Sequence, residues 1–226
     1  MKKTSSFAES SPYSRLHFLA HRGQWSQPAE KNLPAALRLA LRSGFGIETD
    51  VRDLAGQLVV SHDPADTGAL SAAEFFTSYR EFGSTEPLAL NVKADGLRSL
   101  LKPLLAGHAI TNYFCFDMSV PETLAYRREG LRYFTRESEY EPAPALYADA
   151  AGVWMDMFHG DWITPADVRR HLAAGKQVAL VSPELHGRPH LAFWARLREA
   201  GLHREPDLML CTDFPVAARD FFHAQA

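Results

Sequence analysis

The chain has 226 residues, 46% of them hydrophobic and 23% charged, enough for one substantial core or two small ones. A formal net charge of −3 without any basic run excludes a general nucleic-acid binder, and no segment approaches the roughly 20 apolar residues of a membrane span, so no stable membrane anchoring is expected. The two cysteines, Cys115 and Cys211, lie in separate apolar runs without metal-type spacing, which points to buried thiols, no disulfide and a reducing, cytoplasmic setting.

Residues 1–14 read as a loose tail, because Met1-Lys2-Lys3 has the charge of a secretory start but Thr4 to Ser14 places no apolar segment behind it. Strand-like apolar runs are expected at 16–20, 45–51, 88–92, 113–117, 131–135, 152–156, 177–181 and 208–212. Between them Leu33, Ala36, Leu37, Ala40 and Leu41 recur at helical spacing with Gly44 at the end, and Leu97, Leu100, Leu101, Leu104 and Leu105 repeat the pattern. Ser71 to Glu74 and Ser119 to Glu122 have the form of capping boxes, Thr164-Pro165 marks another helix start, and Phe193, Trp194 and Leu197 precede Gly201. Strand then helix, eight times with no dividing linker, predicts an α/β fold, a single (β/α)₈ TIM barrel over 15–226. A doubly wound open sheet would show the same alternation. The strand count, and polar residues at the ends of several strands, favour the barrel.

In a barrel the C-terminal strand ends converge on one mouth. His21 and Arg22 end the first run, Glu48 and Asp50 the second, and Asn91 and Lys93 the third. Asp53 to Gln57 reads as a turn, so 58–62 runs back antiparallel and brings His62 to about the level of Glu48. Glu48 and Asp50 share a strand face, where two hard oxygen donors suit Mg²⁺ or Ca²⁺ and where burial is too costly without a cation or a proton. Two imidazoles beside such an ion can act as general base and general acid at neutral pH, and Arg22 and Lys93 suit phosphate. Taken singly, each element has an ordinary structural reading; taken together they point to metal-assisted cleavage of a phosphodiester. Asp117, Arg136, Asp156, Glu184 and Asp213 fall at later strand ends, with Trp154 on the same strand face as Asp156 as a possible aromatic platform. Trp25 and Trp162 are further candidates for a pocket wall, although core packing explains aromatics as well.

The succession His21-Arg22-Gly23, Glu30 and Asn32, Glu48-Thr49-Asp50-Val51, a Gly-containing turn and Val60-Ser61-His62-Asp63 resembles the glycerophosphodiester phosphodiesterase family, within the barrel superfamily that includes phosphatidylinositol-specific phospholipases C. Cys211-Thr212-Asp213-Phe214-Pro215 is similar to the closing strand motif of that family, whereas 110–205 matches only in its βα pattern. The resemblance implies catalysis by His21 and His62, phosphate contact by Arg22, metal ligation by Glu48 and Asp50, and a supporting charge from Lys93. Two departures stand out. Asn91 occupies the position of a family glutamate that completes the metal site; its amide oxygen can still ligate the ion but with one negative charge fewer. Asp156 is then the substitute carboxylate expected from the sequence. The family's Pro-Glu-Asn-Thr pattern reads Glu30-Lys31-Asn32-Leu33, which leaves Glu30 a candidate at the site and makes Asn32 an expected helix N-cap.

The expected reaction is hydrolysis of a small-molecule phosphodiester bearing a hydroxyl next to the phosphate. The alternative is a barrel with a weakened metal site that binds a phosphorylated metabolite or lipid headgroup without cleaving it. A zinc hydrolase would want a His-x-His pair on the first strand, where only His21 is present. Substrate identity, the assignment of acid and base, and oligomeric state are not legible at this level.

Overall fold

The computed structural model describes residues 15–224, so the tail expected over 1–14 lies outside the described residues. Its strands are β1 (His17–His21), β2 (Gly46–Leu54), β3 (Gln57–Val60), β4 (Leu70–Ser71), β5 (Leu88–Val92), β6 (Tyr113–Phe116), β7 (Phe134–Glu137), β8 (Gly152–Met155), β9 (Gln177–Val181) and β10 (Leu208–Thr212). The helices are α1 (Pro34–Arg42), α2 (Ala72–Glu81), α3 (Arg98–Gly107), α4 (Val120–Glu129), α5 (Pro165–Ala173), α6 (Leu191–Glu199) and α7 (Pro215–His223).

Parallel pairing runs from β6 through β5, β2, β1, β10, β9 and β8 to β7. A parallel bridge between Cys115 and Tyr133, with the Cys115 amide donating to the Arg132 carbonyl at 3.0 Å, joins β6 to the approach of β7. The ring is therefore an eight-stranded barrel, because the Cys115–Tyr133 bridge closes the circuit that a doubly wound sheet leaves open. The predicted strand at 131–135 is displaced: β7 covers Phe134–Glu137, and Tyr133, just before it, makes the closing bridge to Cys115.

Alternation along the strands sorts the apolar residues into two layers. Leu19, Ala89, Phe114, Phe116, Phe134, Trp154, Ala179, Val181, Met209 and Cys211 fill the barrel interior, where Phe114 stacks on Phe134 at 3.7 Å and Phe116 on Trp154 at 4.0 Å. The alternate positions, among them Phe18, Ile47, Leu90, Val153 and Leu180, pack outward on the helices. Cys115 and Cys211 are buried free thiols, and burial pushes both up from their ordinary pKa. Among the described residues no helix is long and apolar enough to cross a membrane.

Beyond Val51, β2 leaves the ring, and it pairs antiparallel with β3 across a two-residue turn at Ala55 and Gly56, both at positive φ (48° and 79°). Positive φ at both positions is the geometry of a tight hairpin turn that follows the natural strand twist. Short β4, which no sequence signal marked, adds to the outer edge of β3 and leads into α2, capped by Ser71.

Candidate functional site

The mouth of the barrel is built around His21. In register with it stand Glu48 on β2 and, one step past the Ala20–Thr212 pair, Asp213 after β10. His21 Nδ1 lies 2.6 Å from Asp213 Oδ1, and Nε2 lies 3.8 Å from Glu48 Oε2. Lys31 Nζ reaches the other Asp213 oxygen at 3.2 Å and sits over the Trp25 ring at 4.5 Å, while the Trp25 indole N–H donates to the His21 carbonyl. Asp213 therefore orients the imidazole and is itself held by Lys31.

Asp50, fully buried on the same strand face as Glu48, is held by three donors. Arg22 Nε approaches its Oδ2 at 3.0 Å, Asn32 Nδ2 donates to Oδ2 at 2.9 Å, and Lys93 Nζ stands 3.3 Å from Oδ1. Thr49 Oγ1 donates to the Asn32 carbonyl oxygen and so fixes which end of the amide faces Asp50. Asn91 is the register partner of Asp50 on β5, and Asn91 in turn is paired with Phe116 at the end of β6, one residue before Asp117.

Burial and charge set the protonation of these groups. Glu48 is pushed up to about 8, first by burial and then by the charge of Asp50, with Arg22 and Lys93 pulling the other way. Burial holds His21 below its ordinary value despite Asp213, and raises Asp117. Burial would also raise Asp213, but its hydrogen bond to His21 and the charges of His21 and Lys31 outweigh that, leaving it below the usual carboxylate range.

Two buried oxygens at this mouth, Glu48 Oε2 and Asn91 Oδ1, have no hydrogen-bond donor, whereas Asp50 Oδ1 and Asp117 Oδ1 are met only by the ion pairs with Lys93 and Arg136. Unpaired buried oxygens on the neighbouring strands β2 and β5, beside the Asp50 carboxylate, are the kind of donors that a hard divalent cation satisfies. Among the described residues no three acidic, histidine or cysteine side chains alone are grouped to hold a metal, so a cation here also depends on the amide of Asn91.

His62 is carried on the continuation of β3. The pairing of Val51 with Val60, and the Ser61 amide on the Asp50 carbonyl, bring it opposite Thr49, one residue from the expected level of Glu48. Its side chain is 43% exposed, with Nδ1 2.9 Å from Asp63 Oδ1. His62, Arg22, Lys31 and Asn32 line one cavity of about 470 Å³ between the β1–α1 loop and the segment after β3.

Other residues differ from their sequence assignments. Asn32 is not the N-cap of α1; that place belongs to Leu33, and Asn32, at φ 63°, turns its amide onto Asp50 and Thr49. Glu30 is engaged by the backbone amides of Ser26 and Gln27 at 2.7 and 3.1 Å, so it braces its own loop instead of reaching the mouth. Trp154 is 4% exposed and stacked inside the barrel, a floor beneath the site and not an open platform. Asp156 is taken by His186, whose Nε2 lies 2.6 Å from its Oδ1. Trp162 donates to the Asp156 carbonyl. Glu184 accepts from Ser182, Thr212 and the Asp213 amide, which fastens the end of β10. Asp117, at φ 66°, has Arg136 Nη1 3.2 Å from Oδ1.

No protein-family model and no curated protein matches the chain. Solved structures do match it. A Galdieria sulphuraria protein assigned provisionally to the glycerophosphodiester phosphodiesterases aligns with 95% of this chain and all of its own, at a TM-score of 0.74 and 17% identity. A glycerophosphodiester phosphodiesterase of Agrobacterium tumefaciens aligns with 93% of this chain and all of its own (TM-score 0.64, 19% identity). An Oleispira antarctica phosphodiesterase in complex with the product sn-glycerol-3-phosphate aligns with 92% of this chain and 97% of its own (TM-score 0.67, 16% identity). The chain has the barrel fold of the glycerophosphodiester phosphodiesterases.

Proposed function

We propose that the protein hydrolyses a small-molecule phosphodiester carrying a hydroxyl next to the phosphate, with His21 and His62 exchanging the protons. The observation that carries this reading is the Asp213–His21–Glu48 line at the mouth, beside Arg22 and Lys93. The Asp213 contact keeps the imidazole proton on Nδ1 and leaves the Nε2 lone pair for substrate, so His21 takes the proton of the attacking hydroxyl. That oxygen bonds to phosphorus, the bond to the leaving alcohol breaks, and His62 gives its proton to the departing alkoxide. Water then opens the cyclic phosphate as the two histidines reverse roles. Arg22 and Lys93 stabilise the phosphoryl oxygens, the kind of contribution that is worth about 3–4 kcal/mol per donor in other enzymes. A Mg²⁺ or Ca²⁺ ion held by Glu48, Asp50 and Asn91 would supply Lewis-acid stabilisation of the same charge.

Turnover of glycerophosphodiesters with added Mg²⁺ or Ca²⁺ tests the reading. His21→Ala is expected to lose at least three orders of magnitude in kcat/KM; equal rates for variant and wild type overturn it. A second reading, phosphate binding without cleavage, draws on the full engagement of Asp50 by Arg22, Asn32 and Lys93. It predicts tight glycerol-phosphate binding by calorimetry with no turnover and no cation uptake.

A further inference from the structure

Asn91 is the neutral member of the cation site described above, and an amide can serve a cation with one end only. Its oxygen offers lone pairs, whereas its nitrogen carries protons and repels positive charge. Asn91 Oδ1 is buried without a hydrogen-bond donor, as is Glu48 Oε2 on the neighbouring strand. For that oxygen to face an ion, something else must hold the nitrogen.

Asp117 is placed to do so. Asn91 on β5 is in register with Phe116 at the end of β6, and Asp117 follows at φ 66°, where the chain leaves its extended course. A side-chain hydrogen bond with Asn91 favours the charged form of Asp117; a carboxylate can only accept, so the amide contributes its nitrogen. The two ends of a planar amide diverge. Because β5 lies between β6 and β2, an amide that gives its nitrogen to the β6 side presents its oxygen to the β2 side, where Glu48 and Asp50 stand. The same device operates at Asn32, where Thr49 donates to the amide oxygen and turns the nitrogen onto Asp50.

The other carboxylates at the mouth are committed elsewhere: Asp156 to His186 at 2.6 Å, and Asp213 to His21 and Lys31. Asp117 is less fully matched. Arg136 Nη1 stands 3.2 Å from its Oδ1, but Arg136 Nε is already 2.5 Å from Glu141, so one guanidinium is shared between two acids. The charge of Asp117 is also felt at Glu48, so it adds to the negative potential of the site.

We propose that Asp117 is a positioning residue for the cation: it holds Asn91 with the amide oxygen toward Glu48 and Asp50, and its own charge adds to theirs. The proposal rests on the cation-assisted reading above and assigns the site a residue outside its set of ligands.

The test titrates Mg²⁺ or Ca²⁺ into the protein by calorimetry, without substrate. Wild type is expected to bind in about the millimolar range or tighter. Asp117→Gly, which suits the backbone at φ 66°, is expected to weaken binding by about tenfold or more. Asn91→Asp in that background is expected to recover it, because a carboxylate has no wrong end and restores the lost charge. Arg136→Gln is expected to bind at least as well as wild type, since it removes a positive charge. Unchanged affinity in Asp117→Gly overturns the proposal, as does failure of Asn91→Asp to recover binding. Equal weakening in Arg136→Gln and Asp117→Gly also overturns it, by assigning the loss to the broken ion pair. Wild type that takes up no cation overturns it whatever the turnover. Glycerophosphodiester turnover measured alongside separates the two readings: an active wild type with unchanged affinity in Asp117→Gly leaves the phosphodiesterase standing and removes the role of Asp117. Circular dichroism of each variant confirms that the fold is intact.

Discussion

Asp213 shows how one residue organises the site: its carboxylate joins His21 to Lys31 and so sets which imidazole nitrogen faces the substrate. Asp213→Asn keeps the shape but can donate to Nδ1, which favours the wrong tautomer. In an Asp–His pair of a different hydrolase this exchange costs about 10⁴-fold in kcat. A drop of about 10³-fold or more in kcat with KM nearly constant is expected here, read from steady-state kinetics on a glycerophosphodiester. The sequence places Asp213 at a strand end and in the closing motif but gives it no role, because its partners are 192 and 182 residues away in the chain. Asn32 was misread for the opposite reason. Local rules see an Asn shortly before Pro34 and assign a cap, whereas the contact that matters, with Asp50, is tertiary.

Elements hold these residues at the mouth through tight turns and close approaches. The β2–β3 hairpin, which returns His62, turns on Ala55 at φ 48°, a region that costs an L-residue with a Cβ about 1–2 kcal/mol. Ala55→Gly relieves that cost at the expense of a more flexible unfolded chain, and a net gain of about 0.5–1 kcal/mol is expected in urea denaturation. Gly152, at the start of β8, is constrained in the other direction. A Cβ there would lie 2.5 Å from both the Gln177 carbonyl oxygen and the Phe134 ring, so Gly152→Ala is expected to destabilise by about 1–3 kcal/mol in the same measurement. Strands and helices were legible from apolar periodicity because burial on two faces, or on one stripe, imposes it. The start of β7 was displaced because Tyr133, although buried, serves the single bridge that closes the ring.

For the whole molecule, two buried histidines away from the mouth tie stability to pH. His171, completely buried between Glu137 and Tyr147, and His203 under the barrel are both lowered from 6.5, chiefly by burial. The unfolded chain binds these protons near pH 6.5 and the folded protein does not, so their contribution is present above that pH and is lost as pH falls below it. His17 runs the other way: its hydrogen bond to Glu86 raises it, and its contribution is lost as pH rises through the raised value. Glu48, raised to about 8, gains stability as pH falls and opposes the two histidines, so their effect is read by difference: between pH 6.5 and pH 5 the Tm of wild type is expected to fall relative to that of His171→Gln. A constant difference between the two proteins across that interval in calorimetry would count against the burial argument.

The sequence by itself determined the barrel and most of the residues at its mouth, since strand order and the two-residue alternation that turns Glu48 and Asp50 to one face are local properties of the chain. Only the tertiary structure decided which of those groups are engaged. Asp50 is shared among Arg22, Asn32 and Lys93, Asp156 is held by His186, and Asp213 sits beside His21. Closing a ring brings strand ends from distant parts of the chain within hydrogen-bond range, and no local pattern encodes which donors then meet which carboxylates.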